Sequence, residues 1–180
     1  MGKKVLIVSS SLRAGSNSEI LAEEARRGAE EAGNDVEMIS LKDRDLHFCR
    51  GCLACQKTMR CVIRDDMDQM IEKVRTAQVL LFATPIYYYE LSGQLKTFLD
   101  RCNPLYPQKY AFRDVYLLTA SAEAGETVCD RAVSGLNGWI DCFPEARFAG
   151  YLSGGGVNEA KEIEQHPALL KAAYELGKNV

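Results

Sequence analysis

Histidine is nearly absent from this chain. Its 180 residues include two, His47 and His166, and a single tryptophan, Trp139. Neither histidine stands in a nucleophile or carboxylate pattern, so no acid–base constellation is legible. Long apolar runs are missing as well. The longest, VLIV (5–8) and VLLFA (79–83), are far too short to span a bilayer. There is no strong excess of either charge. Lys and Arg number 22 against 25 Asp and Glu, a net charge of −3, which removes any general attraction to nucleic acid or anionic membranes. The G-x-x-x-x-G-K-[ST] phosphate loop and the G-x-G-x-x-G dinucleotide turn are both absent. The N-terminal MGKKVLIVSSS lacks a small-residue cleavage site and reads as a first strand, not a signal peptide, so the cytoplasm is the expected address. With no repeat, long linker or low-complexity segment, residues 1–180 read as one domain.

What is present alternates. KKVLIVSS, DVEMISL, QVLLFATPIYY, DVYLLTAS and ARFAGYLS are apolar or β-branched runs suited to strands. Between and after them lie helical patterns: 19–33, ending at a C-cap Gly33, then 65–77, 92–102, 127–143 and 166–180. This order predicts an α/β domain, a mostly parallel five-stranded sheet wound doubly with helices on both faces. Ligands then bind at the C-terminal ends of the strands. The first such end, SSSLRAGSNSE (9–19), carries five serines, Asn17, Arg13 and a helix N-terminus. Ser16 and Glu19 are spaced as a capping box, but capping needs one hydroxyl. The surplus points to a bound phosphate. The third strand ends in TPIYYYELSGQLKTFLDR, where three consecutive tyrosines cannot all face a core. They suit either a flat wall beside a planar ring or a subunit interface.

SSLRAGSNS taken with TPIYYYELSGQLKTFLDR, and the tail GYLSGGGVNEAKEI…HPALLKAAYELGKNV, resembles the NAD(P)H-dependent FMN reductases of the flavodoxin-like superfamily. That resemblance implies a flavodoxin-like sheet in the order 2-1-3-4-5, with FMN at the switch point between first and third strands. It implies that Ser9, Ser11, Arg13, Ser16, Asn17 and Ser18 hold the FMN phosphate. Pro85, Ile86, Tyr87, Tyr88 and Tyr89 would contact the flavin ring, and Thr119, Ala120, Ser121 and Ala122 would border it from the other side. The implied reaction takes electrons from NADH or NADPH and passes them to a flavin, a quinone or a nitro or azo compound. It also implies a homodimer or homotetramer, with NPLYPQKYAF (103–112) and the tyrosines as contact candidates. SGGGVN (153–158) reads as a flexible turn.

The stretch FCRGCLACQKTMRCV (48–62) holds four of the seven cysteines, Cys49, Cys52, Cys55 and Cys61, spaced C-x2-C-x2-C-x5-C. Bacterial ferredoxins use C-x2-C-x2-C-x3-C-P. Here the last gap is longer and Val62 stands where the proline would be. Four thiolates could also hold zinc, and cytosolic thiols can simply stay reduced. Within the resembled group the motif is similar to that of iron–sulfur flavoproteins, which carry a [4Fe–4S] cluster, and also to relatives without one. An electron carrier accepting from ferredoxin, and a flavin-based redox sensor, are therefore the rivals of an oxidoreductase. Cys102, Cys129 and Cys142 fall in helical patterns and read as small core residues.

Overall fold

The computed structural model describes residues 2–180. The run VLIVS leaves no polar position for solvent, and β1 (Lys4–Ser9) is buried at every residue after Lys4. It lies between β2 (Asp35–Ser40) and β3 (Val79–Tyr87) in a parallel sheet that continues through β5 (Asp114–Ser121) and β6 (Arg147–Gly155), in the order β2-β1-β3-β5-β6. The expected five-stranded flavodoxin-like order is therefore present. One element was not expected: β4 (Glu90–Leu91) pairs antiparallel with the end of β3.

Alternation along the strands divides the core in two. Leu6, Val8, Leu80, Phe82, Val115 and Leu117 face α3 (Met67–Thr76), α4 (Gly93–Arg101) and α5 (Asp130–Ile140). Val5, Ile7, Val79, Leu81, Leu118 and Ala120 face α1 (Asn17–Glu31) and α6 (Pro167–Lys178). A one-turn helix, α2 (Cys55–Thr58), lies inside the cysteine loop.

Helix boundaries differ from the expected ranges where side chains decide them. Ser16 caps α1, its Oγ accepting from the Glu19 amide, and Gly33 follows the helix with φ 85°. α5 is shorter than its sequence pattern. Cys129 precedes it, buried, and Cys142 follows it, exposed, so Cys142 is not the core residue that was expected. The 103–112 segment is also less free than an interface would require. Leu105 and Phe112 are fully buried, and Tyr110 stacks on Phe112 at 4.4 Å, which leaves Tyr106 as its exposed aromatic.

Helices α1 and α6 touch backbone to backbone. A Cβ on Gly28 would lie 2.0 Å from the Tyr174 carbonyl oxygen, and one on Gly177 1.9 Å from that of Ala25. These two glycines let α6 press on the helix whose N-terminus opens the serine loop. Gly177→Ala should force the helices apart and cost about 1–3 kcal/mol. Urea unfolding would measure it, and a stability equal to that of the unmutated protein would show that the contact relaxes freely.

Candidate functional site

The strand ends that flank β3 enclose a cavity of about 180 Å3. Ser11, Arg13, Ser16, Asn17 and Ser18 line one end, and Pro85, Ile86 and Tyr87 one wall. Ala120, Ser121 and Ala122 form the facing wall, and Val157 and Asn158 close the remaining side. Asn17 and Ser18 begin α1, so their amides have no carbonyl within the helix to donate to. Hydroxyls and free amides thus gather at one end, and apolar and aromatic groups at the other.

Four of the expected contacts fall outside this lining. Ser9 and Thr119 are wholly buried, each on a strand face beneath helices, and their hydroxyl oxygens have no hydrogen-bond partner among the described residues. Ser11, two residues past Ser9, and Ala120, one past Thr119, line the cavity instead. Tyr88 and Tyr89 lie beyond the wall, at the tip of the β3–β4 hairpin, where Tyr87 pairs with Glu90. Both have left-handed backbones, with φ 51° and 66°. A two-residue hairpin turn favours Asn-Gly at these positions. Tyrosines there cost of order 1–3 kcal/mol each. Tyr88 is 96 % exposed.

Arg13 and Asn17 are tied to the segment after β6. Arg13 Nη1 donates to the Asn158 carbonyl at 2.5 Å, and its Nη2 lies 3.6 Å from Glu159. Asn17 Nδ2 donates to the Glu159 carbonyl at 2.9 Å, while its Oδ1 accepts from the Ile163 amide at 3.1 Å. Val157 and Asn158 are site residues that the sequence reading missed, because SGGGVN was taken for a flexible turn. In fact β6 continues through Gly155, where a Cβ would come 3.0 Å from the Glu123 carbonyl oxygen. Successive glycines at the end of a strand, here Gly154 and Gly155, are the signal of such an approach.

The cysteine loop is clamped at both ends by a buried ion pair. Arg101 and Asp65 have side chains 0 % exposed. Arg101 donates to Asp65 through Nη1 at 2.5 Å and Nη2 at 2.8 Å, and Nη1 also donates to the His47 carbonyl. Asp65 accepts in turn from the His47 amide at 2.9 Å and the Met67 amide at 3.2 Å. Within the loop, Cys55 is buried and its sulfur accepts from Asn103 Nδ2 at 3.4 Å. Burial, and then the neighbouring Cys61, push the Cys55 thiol up from its ordinary range. Cys61 is half-buried, and Cys49 and Cys52 are exposed. Among the described residues no three His, Cys, Asp or Glu side chains are grouped as a metal site requires. As placed, these cysteines do not fit a cluster.

Residues 3–150 match the family model described as NADPH-dependent FMN reductase. The chain belongs to that family. An iron-sulfur flavoprotein of Methanocaldococcus jannaschii is 37% identical over 102 residues, 57% of this chain and 53% of that protein. The chain thus spans about half the length of the curated relatives it first matches. A protein of Bacillus subtilis named as an NAD(P)H-dependent FMN-containing oxidoreductase, YwqN, is 28% identical over 94% of each chain. Among solved structures, an NAD(P)H:quinone oxidoreductase from Methanothermobacter marburgensis superposes with a TM-score of 0.74. It is 15% identical and is matched over 99% of this chain and 97% of that one. That likeness establishes the shared fold. No helix of the described residues is long and apolar enough to cross a membrane.

This FMN reductase family member carries its most strongly constrained charges in the loop clamp and not in the cavity. Burial raises the Asp65 carboxyl. The Arg101 and His47 hydrogen bonds outweigh that and hold it below the usual carboxylate range. A depressed pKa means the pair stabilises the fold above the unfolded value of about 3.9, and the stabilisation is lost as pH falls through the lower, folded value. Asp65→Asn leaves a buried cation without its counter-charge and should cost about 3–5 kcal/mol at pH 7. Its deficit against the unmutated protein should shrink below about pH 4. Urea unfolding at both pH values checks this; a deficit that grows in acid would reverse the assignment.

Proposed function

We propose that the cavity binds FMN and that residues 1–180 act as one flavin-dependent oxidoreductase unit drawing electrons from NADH or NADPH. The carrying observation is the polarity of the cavity: three serine hydroxyls and the opening amides of α1 at one end, proline, isoleucine, tyrosine and alanines at the other. Ser11, Ser16, Ser18 and these amides would hold a terminal phosphate, favoured by the positive end of the helix dipole. Arg13, half exposed and braced on Asn158, would add its charge from the rim. Pro85–Tyr87 and Ala120–Ala122 would border a flat ring and leave one of its faces open. When bound, FMN supplies the two-electron chemistry that joins a nicotinamide donor to an acceptor. Lacking a dinucleotide fingerprint of its own, the chain would admit the nicotinamide directly onto the ring face. Flavin, quinone or nitro and azo compounds are the acceptor classes, and the reduced thiols suit a cytoplasmic setting. The exposed Tyr87, Tyr88 and Tyr106 offer contacts for a homodimer or homotetramer.

A second reading makes the protein an electron carrier with a [4Fe–4S] cluster on Cys49, Cys52, Cys55 and Cys61. Relatives named iron-sulfur flavoproteins favour it. It requires the exposed Cys49 and Cys52 to fold inward onto Cys55 and Cys61. An oxygen-free preparation with about four irons per chain, lost on Cys52→Ser, would establish it.

FMN should bind stoichiometrically and more tightly than riboflavin. Arg13→Ala should remove about 1.5–3 kcal/mol of that binding by loss of a charge-assisted hydrogen bond. Fluorescence titration measures both, and equal affinity for FMN and riboflavin would eliminate the phosphate site. Stopped-flow mixing of the FMN-loaded protein with NADH or NADPH should bleach the flavin absorbance. Bleaching by reduced ferredoxin alone would transfer the case to the carrier.

A further inference from the structure

The last backbone pairing between β3 and β5 joins Pro85 to Ala120. Beyond it the two walls of the cavity separate. One continues into the β3–β4 hairpin, the other into residues 121–126. Among the described residues, one hydrogen bond reconnects them: Tyr89 Oη donates to Glu123 Oε2 at 2.7 Å. Both ends of this bridge are held in place. On the hairpin side, the left-handed backbone of Tyr88 and Tyr89 fixes the turn, and the Arg131 guanidinium sits 5.9 Å over the Tyr89 ring. On the other side, Ser121 Oγ donates to the Glu123 carbonyl at 2.8 Å, and β6 passes so close at Gly155 that a Cβ would lie 3.0 Å from that same oxygen. Neither Tyr89 nor Glu123 lines the cavity. A strained turn that places a tyrosine outside the cavity lining, and onto a carboxylate of the segment that continues the opposite wall, is not explained by holding a flavin.

We propose that Tyr89 and Glu123 are specificity-determining residues for the electron acceptor, their bond spanning the cavity rim and limiting the width of planar molecule that can lie on the ring. This rests on the flavin reading above. A one-ring quinone passes beside the bridge, whereas a fused-ring quinone requires the walls to part. Breaking the bond lowers that barrier without touching the hydroxyl end of the cavity.

The test uses FMN-loaded protein with NADPH as donor, after flavin titration of every variant. The measured quantity is kcat/KM for a fused three-ring quinone divided by that for a one-ring benzoquinone. Tyr89→Phe and Glu123→Ala should each raise this ratio about 5- to 10-fold, the scale of one ordinary, solvent-exposed hydrogen bond. The change should appear in KM for the larger quinone. Glu123→Gln, whose amide oxygen still accepts, should stay near the unmutated ratio. The double variant should gain no more than either single, since both remove one interaction. FMN affinity should stay within about two-fold throughout, because a lone rim bond contributes little to a ligand it does not touch. An unchanged ratio with FMN affinity intact, or additive singles, overturns this inference alone. Failure of the unmutated protein to bind FMN overturns the functional reading beneath it.

Discussion

A guanidinium and a carboxylate removed from water each lose several kcal/mol of hydration, and only close pairing with further hydrogen bonds recovers it. Arg101 and Asp65 meet that condition through four bonds to one carboxylate and a fifth from the guanidinium to a backbone carbonyl. The geometry of the cysteine loop depends on them, because His47 at its start and Asp65 at its end are held by the same two side chains. Arg101 also ends α4. The other end of that helix is capped by Ser92, whose Oγ donates to Ser10 Oγ, which in turn donates to the Ala83 carbonyl. One helix therefore sets the distance between the serine loop and the cysteine loop. A shift of α4 along its axis would disturb both.

Much of this was legible in the residues. Unbroken β-branched runs announce strands buried on both faces. Ser16 before an acidic helix start announces a cap, and a surplus of serines over capping needs announces a cavity end lined with hydroxyls. The alternating parallel α/β architecture follows from these, whereas the strand order and the wall residues of the cavity came from the family resemblance. The buried ion pair was not legible. An arginine near a helix end has the same letters whether it faces solvent or core, and its partner lies 36 residues away. The hairpin was missed for a different reason: Tyr-Tyr contradicts the Asn-Gly preference of its turn, so local propensity argued against what tertiary contacts enforce. Cys142 was misplaced because a helical pattern runs on past the point where α5 stops.

The cavity itself combines two chemistries supplied by different parts of the same edge. β1 leads into hydroxyls and the start of α1, where bound anions are favoured. β3 and β5 lead into proline, isoleucine and alanines, which offer area and no charge. Neither end needs a titrating side chain, which agrees with the scarcity of histidine.

The bonds from Arg13 and Asn17 to residues 158–163 also bear on how the protein is made. Those residues lie beyond the stretch matched by the family model. During synthesis, β1 and the serine loop emerge well before the wall formed by Val157 and Asn158. A nascent chain can assemble most of its sheet while the anion end of the cavity still stands open on one side. Arg13 and Asn17 thus stay without these partners until the segment after β6 has been made.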